Sequence, residues 1–175
     1  MKIFVATEEE KNALIPDKYK RDTIITGVGI INTLKVVQGN LYVLRNEKIV
    51  NVGYAGSHDI KPGTIWMIAE NQMYQESEVK QGYRVLKTVK DVPIQRCLTA
   101  SDFLSGTNRK DKFLVDMELA AYSNINNLYS IKVVSDNLDM EDYDKALQKD
   151  YKKEIQSILE RIESQLWKDL WSSLI

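Results

Sequence analysis

The sequence is poor in the residues that build covalent staples and metal centres: one cysteine, Cys97, and one histidine, His58, among 175 residues. A lone cysteine cannot form an internal disulfide, and one His with one Cys leaves too few ligands for a structural zinc or a Ser-His-Asp arrangement. No metal and no cofactor are expected. Cys97 falls in the apolar segment from Ile94 to Ala100 and reads as a core thiol rather than a nucleophile. His58 sits in the turn-like stretch Gly56-Ser57-His58-Asp59 and reads as a surface residue. Charge of one sign is also lacking. With 24 Lys+Arg against 25 Asp+Glu the formal net charge is -1, which supplies no field to gather nucleic acid or an anionic membrane. No apolar run approaches the roughly 20 residues of a membrane span. No charged segment backed by an apolar run follows Met1, so a cytoplasmic protein is expected.

What is present is an alternation of short β-favouring segments and helical ones. Lys2 to Thr7 suits a strand, and Glu8 to Ile15 a helix that opens on acids. Thr23 to Thr26 suits a second strand, followed by the turn Gly27-Val28-Gly29. A helix is expected from Ile30 to Asn46, with Leu34, Val37, Leu41 and Leu44 on one face. Further strands are expected at 49–53, 94–100, 113–117 and 129–134, with an extended ribbon from Thr64 to about Thr88. A helix is also expected at Glu118 to Tyr122. From about 143 to 175 a single long amphipathic helix is expected, its stripe running through Leu147, Tyr151, Ile155, Ile158, Leu159, Ile162, Leu166 and Leu170, widened by Trp167 and Trp171. Its lysines, Lys145, Lys149, Lys152 and Lys153, are interleaved with acids and suit a solvated face. The whole, 1–175, reads as one α/β domain with a largely parallel sheet and ligand loops at the strands' carboxyl ends.

Two acids, Glu118 and Asp136, fall at such strand ends, and the stretches around them form a series. Ala6-Thr7-Glu8-Glu9-Glu10 is similar to Ala-Met-Glu-Glu-Glu, and Thr26-Gly27-Val28-Gly29-Ile30-Ile31-Asn32 to Ser-Gly-Ile-Gly-Lys-Val-Asn. Asn51-Val52-Gly53-Tyr54-Ala55-Gly56-Ser57 is similar to Asn-Thr-Gly-Ser-Ala-Gly-Gly, and Lys61-Pro62-Gly63-Thr64-Ile65 to the turn Val-Gly-Asp-Ile-Val. Val115-Asp116-Met117-Glu118 is similar to Val-Glu-Met-Glu, and Val134-Ser135-Asp136 to Ile-Ser-Asp. Six such stretches in register, over roughly residues 2 to 140, resemble the nucleoside phosphorylase and nucleosidase superfamily, most closely the methylthioadenosine/S-adenosylhomocysteine nucleosidases.

The resemblance implies a three-layer α/β/α sandwich around a mixed, largely parallel twisted sheet, a small-molecule nucleoside as partner, and a homodimer. It implies hydrolysis of the N-glycosidic bond of an adenosine-type nucleoside, with a phosphate-dependent phosphorylase or a catalytically impaired nucleoside-binding protein as alternatives. Asp136 would protonate the purine at N7, because the base is a poor leaving group as an anion. Glu118 would accept the 2' and 3' hydroxyls and favour the oxocarbenium character of the sugar, with Met117 against the ribose. Glu10 would position and deprotonate water. Phe103 and Leu104 match the segment whose ring stacks on the purine, and Val28, Tyr54, Ala55 and Ser135 fall in stretches that line the substrate.

Each of these residues also has an ordinary structural use: three acids favour a helix start, Glu118 follows a strand, and Phe103 suits a core. Two departures affect the pocket. Tyr54 replaces a small hydroxyl residue and is expected to crowd the water or anion site, and a short stretch between Glu10 and Thr26 trims the walls around the 5' group. No arginine aligns with the phosphorylases' phosphate clamps, which favours water as nucleophile.

Overall fold

The computed structural model describes residues 1–44, 47–76, 84–138 and 140–172, with the side chains of residues 43, 140–142 and 166–172 outside the description. The strands β3 (Ile49–Ala55) and β8 (Leu128–Val134) are buried along their whole length. Strands covered on both faces belong at a sheet's centre, and these two pair in parallel over seven residues. β1 (Lys2–Val5) and β2 (Thr23–Ile25) extend the sheet on the β3 side, all in parallel. On the other side β8 pairs antiparallel with β4 (Ile65–Met73), which pairs antiparallel with β5 (Arg84–Val85) and parallel with β6 (Ile94–Thr99), itself parallel to β7 (Leu114–Asp116). The spatial order is β2-β1-β3-β8-β4-β6-β7. The sheet is therefore mixed and largely parallel, as expected.

Strand alternation sends side chains to two layers. Ile3, Val5, Val50, Val52, Ile131 and Val133 meet Leu14 of α1 (Glu8–Leu14) and Ile155, Ile158, Leu159 and Ile162 of α5 (Lys152–Ser172). Phe4, Ile49, Ala55 and Val134 meet Val37 of α2 (Ile30–Gly39), Leu44 of α3 (Leu41–Leu44), and Leu119 and Tyr122 of a 3-10 turn, Leu119–Tyr122. Two helical layers around one sheet make the α/β/α sandwich. No helix among the described residues is long and apolar enough to cross a membrane.

Three boundaries differ from the sequence expectation. The helix expected from Ile30 to Asn46 is interrupted at Asn40, whose side-chain amide donates to the Val36 carbonyl at 2.8 Å; Gly39 and Asn40 are ordinary helix terminators. Arg45 and Asn46 lie outside the described residues. The helix expected from Glu118 to Tyr122 is a single 3-10 turn. The long helix expected from about 143 to 175 is two helices, α4 (Met140–Leu147) and α5. Lys149 N–H closes α4 on Ala146 at 3.1 Å. Asp150 then accepts the N–H of Lys152 at 3.0 Å, a local side-chain bond that competes with helix continuation. The side chains of Leu166, Leu170, Trp167 and Trp171 lie outside the described residues, as do residues 77–83 of the expected ribbon.

Candidate active site

The carboxyl ends of β1, β3, β7 and β8 open onto one cavity of about 300 Å³, at the lower end of the roughly 300–1,000 Å³ common for small-molecule sites. Three carboxyl groups from distant parts of the chain face it: Glu10, Glu118 and Asp136.

Glu10 arrives on the first turn of α1. Thr7 caps that helix, its hydroxyl oxygen accepting the Glu10 N–H at 3.1 Å, and three acids in the first turn suit the positive end of the helix dipole. The Glu10 carboxylate then accepts the N–H of Ala6 at 2.9 Å and of Tyr54 at 3.4 Å, which fixes it across the ends of β1 and β3. Burial pushes its pKa up, against the opposing effects of Lys132 and those backbone N–H groups.

Glu118 follows β7, and its Oε1 accepts the Gly29 N–H at 2.8 Å. Gly29 has φ +88°, a left-handed conformation that glycine adopts without steric cost. Burial raises the Glu118 pKa to about 7, with repulsion from Asp116 adding to the rise and Lys132 opposing it.

Asp136 follows β8. Its Oδ1 accepts the Leu138 N–H at 2.8 Å, and its Oδ2 takes the Ser135 hydroxyl. It is 2% exposed. Gly56 makes room for it: a Cβ there would lie 2.8 Å from Asp136 Oδ1 and 2.8 Å from a Leu138 methyl.

Met117, Phe103, Ser135, Val28, Tyr54 and Ala55 line the same cavity. Phe103 is 43% exposed, so it is a wall residue and not core. Leu104 lies instead in a side recess of about 40 Å³ that shares Phe103, Met117 and Asp136. Tyr54 does not crowd the site as expected. Its ring belongs to the core beneath α4 and α5, edge-to-face with Tyr143 and Tyr151, and its hydroxyl donates to the Ala146 carbonyl at 3.3 Å.

Two residues escaped the sequence reading. Tyr143, on α4, lines the cavity; helical periodicity carries no sign of that. Lys132 lies behind the cavity, 1% exposed, its Nζ 2.8 Å from Asp116 Oδ2. A lysine set between Ile131 and Val133 in a strand was the available signal. Desolvation works against its charge, but Asp116 and Glu118 outweigh that and hold its pKa above the ordinary lysine value. Asp116 is also bonded to Thr99 Oγ1 at 2.7 Å and to the Leu119 N–H at 2.9 Å. The ion pair thereby anchors the turn that presents Glu118.

The remaining candidates fall elsewhere. Cys97 is buried, and burial first, then Asp116, pushes its thiol pKa well up, the reverse of what a nucleophile needs. His58 is half-buried beside Phe113 and not at the surface as expected, with ring centres 5.1 Å apart. Arg109 is held by Asp111, at 3.0 and 2.6 Å, and by the Gln75 carbonyl at 2.9 Å. Among the described residues the cavity lining has no lysine or arginine.

No family model matches the chain, and no curated protein matches it in sequence. Solved structures do match. A futalosine hydrolase mutant of Helicobacter pylori superposes with a TM-score of 0.70 at 14% identity, covering 93% of this chain and 97% of that one. The 5'-methylthioadenosine/S-adenosylhomocysteine nucleosidase of the same organism, as a mutant with 5'-methylthioadenosine in its active site, gives 0.66 at 13% identity, covering 95% and 97%. Its Chlamydia trachomatis counterpart gives 0.64 at 16% identity, covering 99% and 97%. The chain shares the fold of these solved structures.

Proposed function

We propose that the protein is a nucleosidase that hydrolyses the N-glycosidic bond of an adenosine-type purine nucleoside to free base and sugar. The observation that carries the reading is the convergence of Glu10, Glu118 and Asp136 on one cavity walled by an exposed phenylalanine. Nucleoside cleavage needs three such groups: a donor at the base, an acceptor at the diol and a base for water.

In this reading Asp136 gives its proton to N7 as the bond breaks, so the base leaves neutral. Phe103 stacks on the purine. Glu118 accepts the ribose hydroxyls, orienting the sugar and stabilising its developing positive charge. Met117 packs against the ribose. Glu10, fixed by two backbone N–H groups, takes the proton of the attacking water. Water is favoured over phosphate because an anion would enter among three carboxyl groups with no lysine or arginine among the described residues of the lining.

The proposal includes a cytoplasmic homodimer. Val28 and Phe103 are 49% and 43% exposed at the cavity, and a second copy seated there would exclude solvent from the reaction.

The test is incubation of the protein with methylthioadenosine, S-adenosylhomocysteine, adenosine and inosine, each with and without phosphate, with chromatography of the products. Release of free base independent of phosphate is expected. Binding without release would leave a nucleoside-binding protein in its place.

A further inference from the structure

The polar side chains around the cavity are nearly all committed. The Thr7 hydroxyl caps α1, Tyr54 donates to Ala146, and the Ser135 hydroxyl is bonded to Ala55 and Asp136. Tyr143 differs. Its ring packs edge-to-face on Tyr54, with centres 5.5 Å apart and planes at 79°, while its hydroxyl has no hydrogen-bond partner among the described residues. Burial first, and then the fields of Glu10, Glu118, Glu9 and Asp136, raise the phenol's pKa. The group is therefore a neutral O–H held among the carboxylates, free to bond to whatever fills the cavity.

A bound nucleoside has three polar regions. If Asp136 takes the base edge and Glu118 the diol, the substituent at C5' is left for other side chains of the lining, among them Thr7, Glu10 and Tyr143. We propose that the Tyr143 hydroxyl hydrogen-bonds the 5' hydroxyl of the nucleoside, so that the site takes purine nucleosides with a free 5' hydroxyl in preference to 5'-thioethers. The inference rests on the nucleosidase reading. The small cavity agrees with it, and so does the energetic logic: a thioether sulfur is a weak acceptor, and a hydroxyl shut in beside it loses its water without replacement.

The test pairs a change in the protein with a change in the ligand, so that only the contact between the two hydroxyls survives the comparison. Relative kcat/KM is measured for adenosine against 5'-deoxyadenosine, for inosine against 5'-deoxyinosine, and for adenosine against methylthioadenosine, in the wild type and in Tyr143→Phe. Phenylalanine keeps the ring packing on Tyr54. The wild type is expected to prefer the 5'-hydroxyl member by about tenfold, the size of one well-formed hydrogen bond, and the preference is expected to fall to about one in the variant. A wild type that favours methylthioadenosine, or a preference that persists in Tyr143→Phe, overturns the inference. The latter is the result expected if the hydroxyl serves the attacking water instead. If no nucleoside yields free base, the nucleosidase reading fails, and the same comparison of dissociation constants by calorimetry still reads the contact. Coupling between the two hydroxyls there supports it; its absence, or the absence of binding, overturns it.

Discussion

Gly53 and Lys132 face each other across the parallel pair β3 and β8, and a Cβ on Gly53 would lie 3.4 Å from Lys132 Nζ and 3.5 Å from Glu10 Oε2. The missing side chain lets a buried cation and a buried carboxylate approach the same point behind the cavity. Lys132 then completes its pairing with Asp116. Removing one member of a buried pair strands the other, at a cost of about 3–5 kcal/mol. Lys132→Met should therefore lower the unfolding free energy in urea by about that much, and Asp116→Asn added to it should restore a substantial part. Equal stability of the single and double variants would mean that the pair is not the source of the loss.

Gly56 sets a different limit. Because a Cβ there would lie 2.8 Å from both Asp136 Oδ1 and Leu138, Gly56→Ala must displace the side chain assigned as the acid. A misplacement of about 1 Å costs on the order of 100-fold in rate. Base release is expected to fall by about that factor, and an unaffected rate would show that Asp136 does not need its present position.

Replacing the acids separates binding from chemistry. Asp136→Asn keeps the shape and loses the proton, so turnover should drop at least about 100-fold, at the lower end of what general acid catalysis contributes, while nucleoside binding by calorimetry stays measurable. Glu10→Gln should block hydrolysis similarly. A Glu10→Gln enzyme with the wild-type rate would remove the assigned base from the mechanism.

Glu118 ties activity and stability to pH in opposite senses. Its pKa is about 7 against an ordinary 4.5, so between these values the folded chain holds a proton that the unfolded chain has released. Stability contributed by the protonated form is present below about pH 4.5 and is lost as pH rises toward 7. The ionised form is the one that accepts the diol, so kcat/KM should climb through about pH 7 over the same interval. Thermal melts should show the wild type losing stability from pH 5 to 7 and Glu118→Gln losing less; parallel curves would place the titration elsewhere.

Much of this was legible because strand ends are punctuated. The turn at Gly27 to Gly29 and the acids at 118 and 136 each follow an apolar strand, the Gly53 to Gly56 stretch closes another, β3, which runs to Ala55, and the sheet brings those ends together. The identity of Tyr54 does not reveal its direction: the pleat that sends Val50 and Val52 toward α5 sends Tyr54 there too. Tyr143 was hidden for a different reason. It belongs to α4, whose separation from α5 depends on Asp150 capping the second helix, a local competition that an amphipathic stripe does not record. The Lys132–Asp116 pair joins residues on β8 and β7, strands that do not neighbour each other in the sheet, a pairing no local motif encodes.

The most direct test of the carboxylate triad as hydrolytic machinery is to run the reaction in water enriched in oxygen-18 and to weigh the sugar product. Free sugar carrying one labelled oxygen at C1' is expected, formed at the same rate without phosphate. A sugar 1-phosphate as product, or no free base from any of the nucleosides, would contradict the hydrolytic reading.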